Sequence, residues 1–201
     1  MNYYIADTHF FHKNMLKGAY HPMDERPFDT IEEMHNTIKT NWNKKVHSDD
    51  HVYMIGDVAM KCELDELIGL VGTLKGNKHL IRGSHDKHAN DSRYRQLFVE
   101  VTDYKEMTDN IGGEQHRLVL SHYPLFSWNG LNRSVIHLYG HVHETWEYKQ
   151  YLNHLAELND HYKSIDQDRW KPILAYNVGC MLWNYEPVTL KEIMAEGWRS
   201  S

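Results

Sequence analysis

Cysteine is scarce in this sequence: Cys62 and Cys180 are the only two, and they form no CxxC pair. Their number and spacing exclude a disulfide framework, and we expect two reduced, partly buried thiols. No run approaches the ~18 apolar residues of a membrane span. The first apolar run is broken by Asp7 and His9, which excludes a signal peptide. We therefore expect a soluble cytoplasmic protein with no membrane partner.

Positive charge is also in deficit, because 22 Lys+Arg stand against 28 Asp+Glu and the net charge is -6. This balance argues against a long nucleic acid as partner. The length of 201 residues predicts a single domain, 1–201, that needs no disulfide bond to fold. Histidine is abundant by contrast, with 16 copies. It is the commonest metal ligand, so its positions carry the functional argument.

Short apolar runs alternate with helical periodicity along the chain. Ile31, Met34, Ile38 and Trp42 follow a Thr30…Glu33 capping box and predict a first helix. Two further stripes predict helices at 64–71 and 148–158. The alternation predicts an α/β fold. The predicted strands are Tyr3–Ala6, His51–Ile55, His79–Ile81, Leu118–Leu120, Val135–Tyr139 and Ile173–Tyr176.

Side chains suited to metal binding follow five of these strands directly. Ligands of open α/β sheets bind outside the carboxyl ends of strands, and residues at i and i+2 share a face. Carboxylate and imidazole groups without thiolate suit Mn, Fe, Zn or Ni. We therefore predict one metal site at the strand ends. The side chains in question are Asp7 and His9, Asp57, His85 and Asp86, His122, and His141 and His143.

The blocks D-T-H (7–9), G-D (56–57), G-S-H-D (83–86), S-H (121–122) and G-H-V-H (140–143) appear in this order. In this order they resemble the motifs of the calcineurin-like metallophosphoesterase superfamily. R-P-F at 26–28, W-N at 42–43 and N-V-G at 177–179 extend the resemblance to a subgroup of short, stand-alone members of bacterial and phage type. The resemblance implies a two-sheet β-sandwich flanked by helices, in four α/β/β/α layers. The stretch 144–169 is expected to be a helical insertion relative to the shortest members.

The resemblance also implies roles for these residues. Two divalent metal ions are expected, with manganese favoured over Ni, Fe, Zn and Mg. His85 would act at the leaving group, and Asp86 would orient its imidazole. The first ion would be held by Asp7, His9, Asp57 and His143, and the second by the bridging Asp57 with Ser84, His122 and His141.

Ser84 departs from the pattern, because the family has asparagine at this position. A serine hydroxyl is a shorter and weaker neutral ligand than an amide oxygen, so we expect the second ion to be more labile than the first. A tolerated natural variation and an engineered substitution that weakens catalysis both fit, and the intact remainder of the motifs favours the second.

The expected function is hydrolysis of a phosphate ester by a hydroxide that bridges the two ions. A small phosphodiester or nucleotide-like substrate is favoured. The alternatives are a nuclease acting on single-stranded ends and a metal-binding module with weakened catalysis. The oligomeric state is left open.

Three further side chains are candidate substrate contacts: His12, Arg26 and Arg82. Guanidinium groups pair bidentately with phosphate, while a surface imidazole, a solvated loop charge and a surface ion pair are the respective alternatives. The loop with Phe126, Trp128 and Asn129 either stacks on an aromatic group or anchors in the core, and the anchor is favoured. The ten histidines outside these positions, His21 and His137 among them, are assigned no site.

Overall fold

The computed structural model describes residues 1–19 and 24–196 of the chain. These residues form an α/β fold with two four-stranded sheets, which confirms the predicted class. The strands are β1 Asn2–Ile5, β2 His51–Ile55, β3 Asn77–Ile81, β4 Phe98–Thr102, β5 Tyr104–Ile111, β6 Glu114–Ser121, β7 Ile136–Tyr139 and β8 Ala175–Asn177. The α-helices are α1 Ile31–Lys45, α2 Leu64–Gly72, α3 Ser92–Arg95, α4 Trp146–Ile165 and α5 Leu190–Glu196. Short 3₁₀ turns occupy Lys13–Met15, Lys87–Asn90 and Cys180–Trp183.

The first sheet has the order β1-β2-β3-β4 with every pair parallel. The second has the order β5-β6-β7-β8, in which only β5 and β6 run antiparallel. Parallel strands bring their carboxyl ends to one edge of a sheet, so the blocks of predicted ligands that follow β1, β2 and β3 meet there.

The strands alternate their side chains between three buried apolar clusters. Tyr3 and Ile5 of β1 pack in a first cluster with α1 and α2, while Tyr4 of the same strand faces the second sheet. In β6, Leu120 faces the first sheet and Val119 packs in a third cluster with α4. This period of two is the consequence of the pleat, and it buries both faces of both sheets.

Helix α1 begins where its capping signal predicts. The Thr30 hydroxyl accepts the Glu33 N–H at 3.1 Å, and Met34, Ile38 and Trp42 are buried on one face. The Glu33 carboxylate accepts the N–H of Asp29 and not that of the N-cap residue Thr30, so the second hydrogen bond of the capping box is shifted by one residue toward the N-terminus.

Strands β4 and β5 were not among the predicted strands. β5 carries polar residues along most of its length and has no fully buried residue. Its existence depends on antiparallel pairing with β6 across a turn at Gly112 and Gly113, both of which have positive φ. In the described part of the chain, no helix is both long and apolar enough to cross a membrane.

His137 of β7 is fully buried and holds the segment that follows β6. Its Nδ1 lies 3.1 Å from the carbonyl oxygen of Val119, and its Nε2 accepts the N–H of Leu125 at 3.2 Å. A neutral imidazole satisfies both contacts, whereas a protonated ring has no acceptor left for the Leu125 N–H. Burial lowers the pKa of His137 to about 4.

We expect this histidine to make the fold sensitive to acid. An unfolded chain binds a proton near pH 6.5, so the contribution of His137 to stability is complete above pH 6.5 and falls as the pH drops toward 4. Between pH 7 and pH 5 the loss is about 2 kcal/mol. Urea unfolding at both pH values, with EDTA present, should show a drop that is smaller by this amount in His137→Leu. An equal drop in both proteins would contradict the assignment.

Candidate metal centre

The blocks after the strands enter the left-handed backbone region at positions predicted to bind metal. Asp7, His9, Asp57, His141 and His143 have φ values between 46° and 70°. Non-glycine residues adopt this conformation at a cost of ~1–3 kcal/mol each, and such strain concentrates at functional sites. These turns direct five side chains toward one place. Backbone hydrogen bonds between the turns, such as the bond from His9 N–H to Asp57 O at 3.0 Å, hold them in position.

Glycine is required where two of these turns approach each other. A Cβ on Gly83 would overlap the Asp57 carboxylate, and a Cβ on Gly56 would overlap the His122 imidazole. The side chains of the centre therefore occupy the space that the missing Cβ atoms leave. Any larger residue at 56 or 83 displaces a predicted ligand.

The predicted ligands separate into two clusters. Asp7, His9 and His143 bring one ligand atom each to within 4.8 Å of one another, and Asp57, His122 and His141 do the same. This division is the one that the motif resemblance implies. Asp57 links the clusters, because its Oδ2 lies 3.8 Å from His9 Nε2 and its Oδ1 lies 3.4 Å from His122 Nε2.

The donor set fits divalent ions on three observations. The His122 Nδ1 lies 2.9 Å from the Ile55 carbonyl oxygen, so it carries a proton and the ring turns Nε2 toward the cluster. That Nε2 is buried and has no hydrogen-bond partner in the described structure, which is unusual for a polar atom. The Nε2 atoms of His9 and His143 converge to 3.0 Å, as two ligands of one ion would.

Burial and mutual charge set the protonation of the centre. Burial is the main influence on Asp7 and raises its pKa to about 6, although His143 and His122 act against it. Burial also opposes ionisation of Asp57, but the His122 imidazole, whose Nε2 lies 3.4 Å from Asp57 Oδ1, outweighs it and holds the pKa of Asp57 below its usual range. The His122 pKa rises to about 9 because both carboxylates overcome its burial. The buried carboxylates thus attract positive charge into the centre.

His85 lies at the edge of the centre, where it is about one-third exposed. Its Nε2 is 3.9 Å from Asp57 Oδ2, and its backbone N–H donates to Asp57 Oδ1 at 2.9 Å. Its ring lies 5.6 Å from that of His9. The imidazole is therefore close to both clusters and open to a bound substrate.

Asp86 has a different role from the predicted one. Its carboxylate accepts the backbone N–H groups of Asp57, Val58 and Gly83 at 2.7–3.0 Å. Both oxygens are used in holding the β2 and β3 turns together, and neither has a described contact with the His85 ring. Asp86 thus positions Asp57 rather than the His85 imidazole.

Ser84 is exposed beside the second cluster. Its hydroxyl lies 3.3 and 3.4 Å from the two oxygens of Asp57. The structure therefore brings Ser84 next to the bridging carboxylate, at the place where the resemblance puts a ligand of the second ion.

The three candidate substrate contacts differ in position. His12 is 93% buried rather than a surface imidazole, and its ring lies 5.4 Å from His9 and 6.4 Å from His85. Arg82 points away from the clusters, because its Nε donates to Asp103 at 2.6 Å and its Nη1 to Asn90 at 3.2 Å. That is the surface ion pair weighed as the alternative to a phosphate contact.

Arg26 is fully buried, so the alternative of a solvated loop charge is wrong. Its guanidinium donates to the carbonyl oxygens of Asp7 and Thr8 at 2.7 and 2.9 Å and to the Asp24 carboxylate at 3.1 Å. These bonds use its donors within the protein, beneath the D-T-H turn. Arg26 therefore stabilises the D-T-H turn, which carries two of the predicted ligands.

Sequence reasoning missed Asp24 and Asn177. Asp24 accepts from His143 Nδ1 at 2.7 Å, which directs the Nε2 lone pair of His143 to the first cluster. Buried Asn177 donates to the carbonyl oxygen of His143 at 2.9 Å. A carboxylate two residues before the R-P-F block was the available signal for Asp24. His21, which was assigned no site, lies outside the described residues.

We expect Asp24→Asn to weaken metal binding at the first cluster by ~10–100-fold, the usual effect of removing a carboxylate that orients a ligating histidine. Titration of the metal-free protein with Mn²⁺, followed calorimetrically, measures this. Glu25→Gln is the matched control, because the neighbouring Glu25 carboxylate accepts the exposed N–H of Gly18 and is bonded to no predicted ligand among the described residues. Equal affinity in Asp24→Asn and wild type would contradict the role of Asp24.

Two known proteins are similar to this chain in sequence. The uncharacterized protein MJ1445 of Methanocaldococcus jannaschii is 33% identical over 193 residues, which span 96% of this chain and 88% of that protein. The chain belongs to the same family as MJ1445. The gene 66 protein of Mycobacterium phage L5 is 23% identical over 164 residues, 70% of this chain and 76% of that protein.

A solved structure shares the fold. The crystal structure of AQ665, a protein of unknown function from Aquifex aeolicus, has a TM-score of 0.61 and 22% sequence identity. The match covers 97% of this chain and 98% of that one. No protein-family model matches the sequence. The relationship to MJ1445 identifies the family of the chain, and the likeness to AQ665 identifies its fold. Neither relative has a known function that could indicate the chemistry of the centre.

Proposed function

We propose that this protein is a phosphoesterase that uses two divalent metal ions, of the calcineurin-like metallophosphoesterase type, and that its substrate is a small phosphodiester or nucleotide. The observation that carries the proposal is the pair of clusters joined by Asp57. The three apolar clusters support the α/β/β/α layering expected of that type, because helices cover the outer face of each sheet. We further propose manganese as the metal.

When bound, two such ions would supply Lewis-acid activation of a water and of the phosphoryl oxygens. In the chain itself, Asp7, His9 and His143 would hold the first ion, and His122 and His141 the second, with Asp57 shared. His141 is also placed by its own N–H, which donates to the Asp7 carboxylate at 3.0 and 3.1 Å.

His85 is the proposed general acid. It lies at the open edge of the centre, and the bond from its N–H to Asp57 fixes its position relative to both clusters. A proton from its imidazole to the departing alkoxide is worth ~10²–10⁴-fold in rate. Buried His12, next to both His9 and His85, is placed to contact a substrate oxygen.

A substrate screen tests the function. We expect hydrolysis of bis(4-nitrophenyl) phosphate, and less of 4-nitrophenyl phosphate, when the chain is loaded with Mn²⁺, and comparison with Ni²⁺, Mg²⁺ and Zn²⁺ identifies the metal. Oligonucleotide turnover at varied salt tests the nuclease alternative. Metal uptake without hydrolysis of any phosphate ester, in wild type and in Ser84→Asn alike, would leave only a metal-binding module.

We expect Ser84→Asn to tighten binding of the second ion by about 10-fold or more, in line with the sensitivity of metal sites to their ligand shell. The amide oxygen reaches one atom further from the backbone than the hydroxyl beside Asp57. Metal content after dialysis measures the effect. Ser134→Asn is the control, since Ser134 already has positive φ, which asparagine tolerates. Equal, tight occupancy of two ions in Ser84→Asn and wild type would contradict the expectation.

A further inference from the structure

An exposed aromatic ring stands directly beside the second cluster. Tyr123 follows His122 in the chain, and 46% of its surface is exposed. Its ring contacts His141 edge to face with 4.5 Å between centroids, and His122 with 5.1 Å. Two predicted metal ligands therefore hold the ring in place while one side of it remains open.

A cavity of about 330 Å³ lies between this ring and the turn after β3. Such a volume is at the lower end of the ~300–1,000 Å³ typical of small-molecule sites. Ser84 lines the cavity, and its hydroxyl is 3.3 Å from Asp57 Oδ2. The cavity consequently opens next to the second cluster, within reach of a group attached to a phosphate held there.

The cavity is also lined by charged side chains. Arg82 and Lys87 line it together with Asp103. The bonds from Arg82 to Asp103 and Asn90 keep the guanidinium plane in one orientation. The lining thus combines an aromatic ring with polar side chains, of which Arg82 is held by its own hydrogen bonds, and such a combination suits a flat ring with polar edges.

We infer that this cavity is the subsite for the organic group of the phosphate ester, and that the group carries a planar aromatic ring as a nucleoside does. The inference rests on the proposed function, since it takes the phosphate to lie at the two clusters. It assigns Tyr123 as the residue that determines specificity by stacking.

The test compares two ligands that differ only in the base. Adenosine 5′-monophosphate and ribose 5-phosphate are titrated by calorimetry into the Mn²⁺-loaded protein. We expect the nucleotide to bind at least about 10-fold more tightly, because stacking of a base on an aromatic side chain contributes that much or more. Tyr123→Ala should remove this preference, whereas Tyr123→Phe should keep it. The control Tyr104→Ala removes a similarly exposed tyrosine, 41% accessible and outside the cavity lining, and should also keep it.

The ratio of the two affinities separates the possible failures. Because Tyr123 touches two predicted ligands, its replacement can weaken phosphate binding through the metal, and ribose 5-phosphate reports that effect. An unchanged ratio in Tyr123→Ala, including an equal loss for both ligands, would overturn the stacking role alone. Absence of binding by either ligand to wild type and to Ser84→Asn would overturn the proposed function as well.

Discussion

Replacing Asp57 with asparagine is expected to reduce phosphodiester hydrolysis by at least about 10²-fold and to lower the number of tightly bound metal ions. The carboxylate lies between the two clusters and approaches a histidine of each. Metal activation of a phosphoryl oxygen is worth several kcal/mol, and each 1.36 kcal/mol is about tenfold in rate. Asparagine keeps the shape and one oxygen, so the bond from the His85 N–H can persist while the shared charge is lost.

Metal content after dialysis and the rate with bis(4-nitrophenyl) phosphate are the two measurements for Asp57→Asn. Asp65→Asn is the matched control, because Asp65 forms a surface ion pair with Arg93 and its replacement should change neither quantity. If Asp57→Asn retained the metal content and the activity of wild type, Asp57 would not be the bridge between the clusters.

Arg26→Met is expected to lower the free energy of unfolding by ~3–5 kcal/mol, the usual result of removing one partner of a buried ion pair. The substitution leaves the Asp24 carboxylate without its cation and two buried carbonyl oxygens without donors. Methionine fills similar space, so lost packing is a minor part of the effect. A substrate contact would instead raise KM and leave stability unchanged.

Urea unfolding in the presence of EDTA isolates the contribution of Arg26 from that of bound metal. Arg93→Met removes an exposed guanidinium from its pair with Asp65, and its effect should stay within about 0.5 kcal/mol. A midpoint for Arg26→Met equal to that of wild type, with an equal dependence on urea, would show that Arg26 does not support the centre.

Local sequence was sufficient for most elements of the fold. All six predicted strands correspond to observed strands, because buried runs of β-branched and aromatic residues such as His51–Ile55 leave little choice of structure. β5 escaped prediction because its own residues are polar and its pairing with β6 supplies the stability. Tertiary context overrides propensity at such an edge.

The structure brings six of the predicted ligands together in two clusters, but the residues that support them do not follow from the motifs. Asp86 was predicted to orient His85, and it instead binds the backbone of the β2 and β3 turns. Arg26 was a candidate phosphate contact with a solvated loop charge as the alternative, and it instead lies buried beneath Asp7. A motif identifies which residue types occur together, whereas the partner of each hydrogen bond depends on which turn lies next to it in space.

The sequence alone determined which side chains are available to bind metal, because carboxylates and imidazoles that directly follow parallel strands must meet at one edge of the sheets. Only the tertiary structure decided how these side chains are held. Five of the predicted ligands adopt the left-handed backbone conformation. The bonds from His143 to Asp24 and from Arg26 to Asp7 join segments that are apart in the chain. The physical reason is that a polar group buried away from water needs a hydrogen-bond partner within the protein, and tertiary packing decides which group is close enough to be that partner.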